Sequence, residues 1–114
     1  MDYLEQLRRL AINDEWVAGN EVVGLAIDPV SHDQKTLALA RIAALVAVGG
    51  PGPSFGFQID AAVSAGATAR EIVDVVVGII PVTGLPRVAA AAPRVAMALG
   101  HDLDDDVVES PQEQ

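Results

Sequence analysis

Gln58-Ile59-Asp60-Ala61-Ala62-Val63-Ser64-Ala65-Gly66-Ala67-Thr68-Ala69-Arg70-Glu71-Ile72 decides how this chain folds. It reads as the end of one helix, a tight stop and the start of the next. Gly66 suits the stop, because a residue without a β-carbon enters the left-handed region at no steric cost. Thr68 offers its hydroxyl to the free backbone N–H groups of a new helix. Glu71 follows three positions later, the spacing of a capping box. Upstream, Ser54 reads as the N-cap of a helix running to about Ala65. Downstream, Ile72, Val73, Val75, Val76, Val77, Ile79 and Ile80 form an apolar run. Its β-branched residues also suit a strand. The cap in front of it and the length of the run favour a helix, ended by Pro81, Thr83 and Gly84.

Working outward, Gln34 to Val48 is apolar almost all round, the pattern of a buried central helix. Ser31 is its expected N-cap, and Gly49-Gly50-Pro51-Gly52-Pro53 stops it. Asp28-Pro29 marks a turn, since proline restricts the residue before it to extended geometry. Before that, Asp2 and Glu5 are spaced as a capping box for a helix whose stripe is Leu4, Leu7, Leu10 and Ala11. A short turn over Glu15 to Ala18, closed at Gly19-Asn20, and an apolar run from Val22 to Ile27 follow. At the far end, Pro86 suits the first turn of a last helix through Leu99, with Gly100 behind it. Pro93 falls inside that helix and is expected to kink it or delay its start. The expected fold is all-α, a single-domain helical bundle of five to six helices. It divides into an N-terminal helical segment (1–27), a helical domain (28–100) and an acidic C-terminal tail (101–114).

Composition narrows the function. Of 114 residues, 51% are hydrophobic but only 4% aromatic, so the core is built from Ala, Val, Leu and Ile. A domain this small is marginal on its own core, and its apolar surplus points to a homo-oligomer. The net charge of −9 argues against nucleic acid and anionic membranes. Part of that charge, from Asp102 to Glu113, reads as a solvated tail. The first residues lack the basic region of a signal peptide, and no apolar run approaches the roughly 20 residues of a membrane span. The chain has no cysteine, so no disulfide calls for an oxidising compartment, and the expected location is cytoplasmic.

The stretch from Asp28 to Gly100 resembles the carboxymuconolactone decarboxylase family, which also contains the alkyl hydroperoxidase D proteins. Leu37 to Val48 is similar to the family's alanine-rich helix. The segment quoted above is similar to its His-x-x-x-Ala-Leu-x-x-Gly-Ala-Thr-x-x-Glu-Ile motif, and Gly84-Leu85-Pro86-Arg87 to its Gly-x-Pro-x-Ala turn. The match covers about two thirds of the chain. It implies an all-helical protein assembled as a trimer or hexamer. Redox members carry Cys-x-x-Cys, a His four residues after the second Cys, and a Glu on the preceding helix. Aligned without gaps, those four positions hold Pro51, Ser54, Gln58 and Leu39, so none of the redox groups is present. Decarboxylase-type members keep the His and an Arg two residues later, where this chain has Gln58 and Asp60. Gln cannot exchange a proton, and Asp reverses the charge.

The remaining candidates are read from the residues themselves. Arg41 lies within the most apolar helix, on the stripe of Leu37, Ala44, Leu45 and Val48, where a guanidinium requires a partner. Asp60 is the first carboxylate by topology and Asp74 the second. The pair is either a packing ion pair or the charged floor of a pocket. In the second case Arg41 and Asp60 are the catalytic candidates, and Gln58 and Ser54 the substrate-binding ones. Ser54 has no base placed to activate it as a nucleophile. His32 and His101 stand far apart without metal-ligand spacing, so no metal and no cofactor is expected. Trp16 reads as packing, and the Gly-Pro loop as a stiff connection rather than a phosphate cradle. Two functions stay open. One is a non-redox enzyme acting on a small organic acid or lactone in a refitted pocket. The other is a non-catalytic helical oligomer or small-molecule-binding subunit.

Overall fold

The computed structural model of the protein describes residues 2–12 and 33–101. The expected turn over Glu15 to Ala18, the run to Ile27, Ser31, Trp16, His32 and the acidic tail lie outside the described residues. The chain groups into two compact units, Met1–Ser31 and His32–Gln114. In the first, α1 (Tyr3–Ile12) starts as expected, with the Glu5 N–H donating to the Asp2 carboxylate at 2.8 Å. Glu5 in turn accepts from Arg8 at 2.6 Å and Arg9 at 3.1 Å. None of the residues of α1 is buried.

The second unit holds α2 (Gln34–Val48), α3 (Gly52–Ser64), α4 (Ala69–Gly78), the short α5 (Ile80–Thr83) and α6 (Leu85–Ala98). The described residues are all helix and turn, with no strand. Helix α2 packs on α3, α4 and α6, and α3 packs on α6. Each helix lends one stripe at helical spacing: Ala38, Ile42 and Val46 from α2, then Phe55, Ile59 and Ala62 from α3. Ile72 and Val76 from α4, with Val88, Ala91 and Val95 from α6, close the core. Burying one such large side chain is worth about 1.5–3 kcal/mol.

The expectation of a central helix buried on every side is corrected. Three residues of α2's fifteen are buried, and Val48 is 70% exposed. Its neighbours cover a single stripe, and that stripe is Ala38, Ile42 and Val46 rather than Leu37, Arg41 and Ala44. Asp33, not Ser31, caps this helix, its carboxylate accepting from the Thr36 N–H at 2.6 Å.

Ser54 is also not an N-cap. The cap position of α3 is Pro51, extended at φ −73°, and Ser54 stands within the first turn with its N–H on the Pro51 carbonyl at 3.1 Å. The helix starts early because proline has no N–H to lose in a first turn and its fixed φ already suits the helix. Pro93 does not delay the start of α6, which runs from Leu85 to Ala98 with the proline inside it. Pro93 and Ala89, whose carbonyl the missing N–H leaves free, are both exposed, so water can satisfy that carbonyl.

The capping box at Thr68 forms in both directions. Thr68 Oγ1 accepts from the Glu71 N–H at 3.0 Å, and Glu71 Oε1 accepts from the Thr68 N–H at 2.9 Å. Lys35 of α2 donates to the other oxygen of Glu71 at 3.0 Å, tying α2 to α4. The Thr68 N–H, with Lys35 second, holds the Glu71 carboxyl below its ordinary value of 4.5.

Candidate functional site

Of the residues that the family pattern marks, Pro51, Ser54 and Gln58 follow one another from the cap of α3 through its first two turns, and Leu39 lies on α2. Pro51 is exposed at the cap, and Ser54 and Gln58 are half-buried, four residues apart and therefore on one face. Leu39 of α2 is half-buried and packs against the core. Asp60 lies two residues beyond Gln58, about 200° round the helix, and is exposed. Arg41 flanks the buried stripe of α2 and is half-buried, so water reaches its guanidinium. Among the described residues no ion pair joins Arg41 to Asp60 or to Asp74. Asp74 instead faces Arg70 at 3.7 Å, one turn away on its own helix and in solvent.

The structure brings together a different set of charges. At the end of α2, Gly49 takes φ +71° and returns its N–H to the Leu45 and Val46 carbonyls. Gly50 follows, buried, with its N–H on the Leu45 carbonyl at 2.9 Å. Helix α6 lays two arginines against this turn. Arg94 donates through Nη1 to the Gly50 carbonyl at 2.5 Å. The Nη1 of Arg87 lies 2.5 Å from where a β-carbon on Gly49 would stand. Between them is a cavity of about 230 Å³ whose apolar wall includes Val46 and Phe55. Among the described residues no carboxylate pairs with Arg87 or Arg94, in a protein with sixteen acidic residues to seven basic ones.

Sequence reasoning missed these two arginines. They stand seven apart, two turns of one helix, so they share a face of α6. That spacing was readable. That the face meets the Gly49-Gly50 turn, 44 residues away from Arg94, was not. The Gly-Pro loop, expected to be only a connection, is part of the cavity wall.

The second unit is thus an α-helical bundle, and the chain has no cysteine. The sequence profile of the Carboxymuconolactone decarboxylase family matches residues 19–97, more than half of the chain, and the protein belongs to that family. Neither a curated protein nor a solved structure matches it. No helix among the described residues is long and apolar enough to cross a membrane.

Proposed function

We propose that this chain is a non-redox member of the family that takes a small organic acid or lactone in a refitted pocket. One observation carries the reading: the start of α3 is built and packed, yet Pro51, Ser54, Gln58 and Leu39 stand where redox members hold thiols, imidazole and carboxylate. A thiolate is needed both to attack a peroxide and to resolve the product, and neither Pro nor Ser supplies one. Ser54 and Gln58, on one face of α3, serve as hydrogen-bonding groups toward the ligand. Arg41 and Asp60 are the charged candidates for chemistry, Asp60 as acid or base and Arg41 as anion binder.

A second reading, binding without turnover, draws on the state of those charges. Asp60 is exposed and makes no ion pair with Arg41, and the cavity beside the turn is lined by no group that exchanges protons near neutral pH. Both readings include a homo-oligomer, a trimer or hexamer. It is supported by the apolar side chains left in solvent, among them Val82 at 89%, Val48 at 70% and Met97 at 65%. A cytoplasmic location rests on the cysteine-free composition.

The test is a substrate panel followed by NMR, run beside a peroxidase assay with alkyl hydroperoxide and a dithiol. The reading expects no peroxide turnover. Consumption of an acid or lactone that is lost in Asp60→Asn and Arg41→Ala supports the enzyme, whereas binding without consumption supports the second reading. Peroxide turnover by the purified protein would refute both.

A further inference from the structure

The geometry points to an anion site on the Gly49-Gly50 turn, in which Arg87 and Arg94 hold the carboxylate of a small ligand whose apolar body lies along Ala90 and Ala91. The site rests on the proposed function only for the class of ligand. It uses none of the residues offered there for chemistry, and it stands whether or not turnover occurs.

The case starts from two guanidinium groups brought to consecutive residues of one turn. Both guanidinium groups border one cavity, where like charges disfavour each other. Proteins normally place a carboxylate between such groups, and among the described residues none is there. The cost is tolerated because both arginines reach solvent. That exposure also leaves them open to a ligand. Arg94 spends one N–H on the Gly50 carbonyl at 2.5 Å, and a guanidinium has five, so four donors remain to it. The bond to Gly50 fixes where those donors sit, so less freedom is lost when an anion binds.

Glycine at 49 is part of the same design. A β-carbon there would meet Arg87 Nη1 at 2.5 Å, and φ +71° is a conformation that other residues adopt at a cost. A side chain at 49 would therefore push the exposed end of Arg87 aside. Next to these charges the cavity runs along Ala90 and Ala91 of α6, over the buried Val46 and Phe55. A cavity of about 230 Å³ with charge at one side and this wall at the other selects an ion with an apolar body over a fully hydrated one. Guanidinium also takes planar carboxylate in two parallel hydrogen bonds, a geometry that ammonium does not offer. The predicted ligand class is thus a small monocarboxylate with a compact apolar body, aromatic or branched.

Isothermal titration of the full chain tests this with three probes: benzoate, its neutral isostere benzamide, and inorganic phosphate. Benzoate is expected to bind, and benzamide and phosphate to bind at least about tenfold more weakly, the factor that about 1.4 kcal/mol represents. Arg87→Gln and Arg94→Gln should each weaken benzoate by about tenfold or more, the loss of one charge-assisted contact. Arg94→Lys, which keeps charge but loses the fork, should fall between. Circular dichroism checks that each variant is folded; should Arg94→Gln fail, Arg87→Gln, which removes no hydrogen bond among the described residues, decides alone. The site is overturned if benzoate does not bind, if benzamide binds equally well, or if folded Arg87→Gln binds as wild type does. Lactone turnover without benzoate binding would leave the proposed enzyme standing and remove this site; benzoate binding without any turnover would do the reverse.

Discussion

Two turns of this bundle have opposite construction. The turn at residues 65–68 is closed by its own sequence, with Gly66 at φ +103° and Thr68 and Glu71 exchanging hydrogen bonds; Lys35 of α2 adds a bond only to the other oxygen of Glu71. The turn at residues 49–51 has no side chain of its own to finish it. The helix after it starts at Pro51 without a side-chain cap, and its Gly50 carbonyl is taken by Arg94 from the far end of the chain. A turn that satisfies itself is a structural part. A turn that borrows two cations, with no carboxylate between them among the described residues, has capacity left over for a ligand.

The largest way to break the contrast is to remove the wall of the second turn. Phe55→Ala should cost about 3–5 kcal/mol in denaturant unfolding, since the ring is 1% exposed and its loss leaves a void in the core. A cost under about 1 kcal/mol would mean that the bundle collapses easily into that space. Next, Gly49→Ala should cost about 1–2 kcal/mol, the price of a β-carbon in the left-handed region, and should also weaken benzoate by moving Arg87. The matching change at the other turn, Thr68→Ala, should cost about 1 kcal/mol through the lost cap and leave benzoate binding untouched.

The smallest effect concerns Glu71, whose carboxyl is held below 4.5 mainly by the Thr68 N–H and then by Lys35. A group whose pKa is lowered on folding lends stability at pH values above its unfolded value, and that stability is lost as the pH falls through the folded value. Melting temperature should therefore drop as the solution is acidified below about pH 4.5, less steeply in Glu71→Gln than in wild type. An identical acid limb in the two proteins would remove Glu71 from the account.

How much of this was legible in the sequence follows the same division. The self-contained turn was read correctly from Gly66, Thr68 and Glu71, because capping is local and its spacing is fixed. The family, too, followed from short motifs kept in order. The errors fell where proline or tertiary contact decides. Ser54 looked like a cap because serine usually is one, but Pro53, at home in a first turn, lets α3 begin three residues earlier. Arg41 looked buried because α2 is apolar on all sides, whereas burial depends on how many neighbours arrive, and they cover one stripe. Arg87 and Arg94 could be placed on a common face from their spacing alone. Their meeting with Gly49 and Gly50 depends on how α6 packs against α2, and no local pattern carries that.

The most direct measurement is an amide NMR titration of the uniformly labelled protein with benzoate, following both turns at once. The account predicts saturable shifts at Gly49 and Gly50, lost in Arg87→Gln, while Gly66 and Thr68 stay in place. Shifts spread evenly over the bundle, or centred on Gly66 and Thr68, would contradict it.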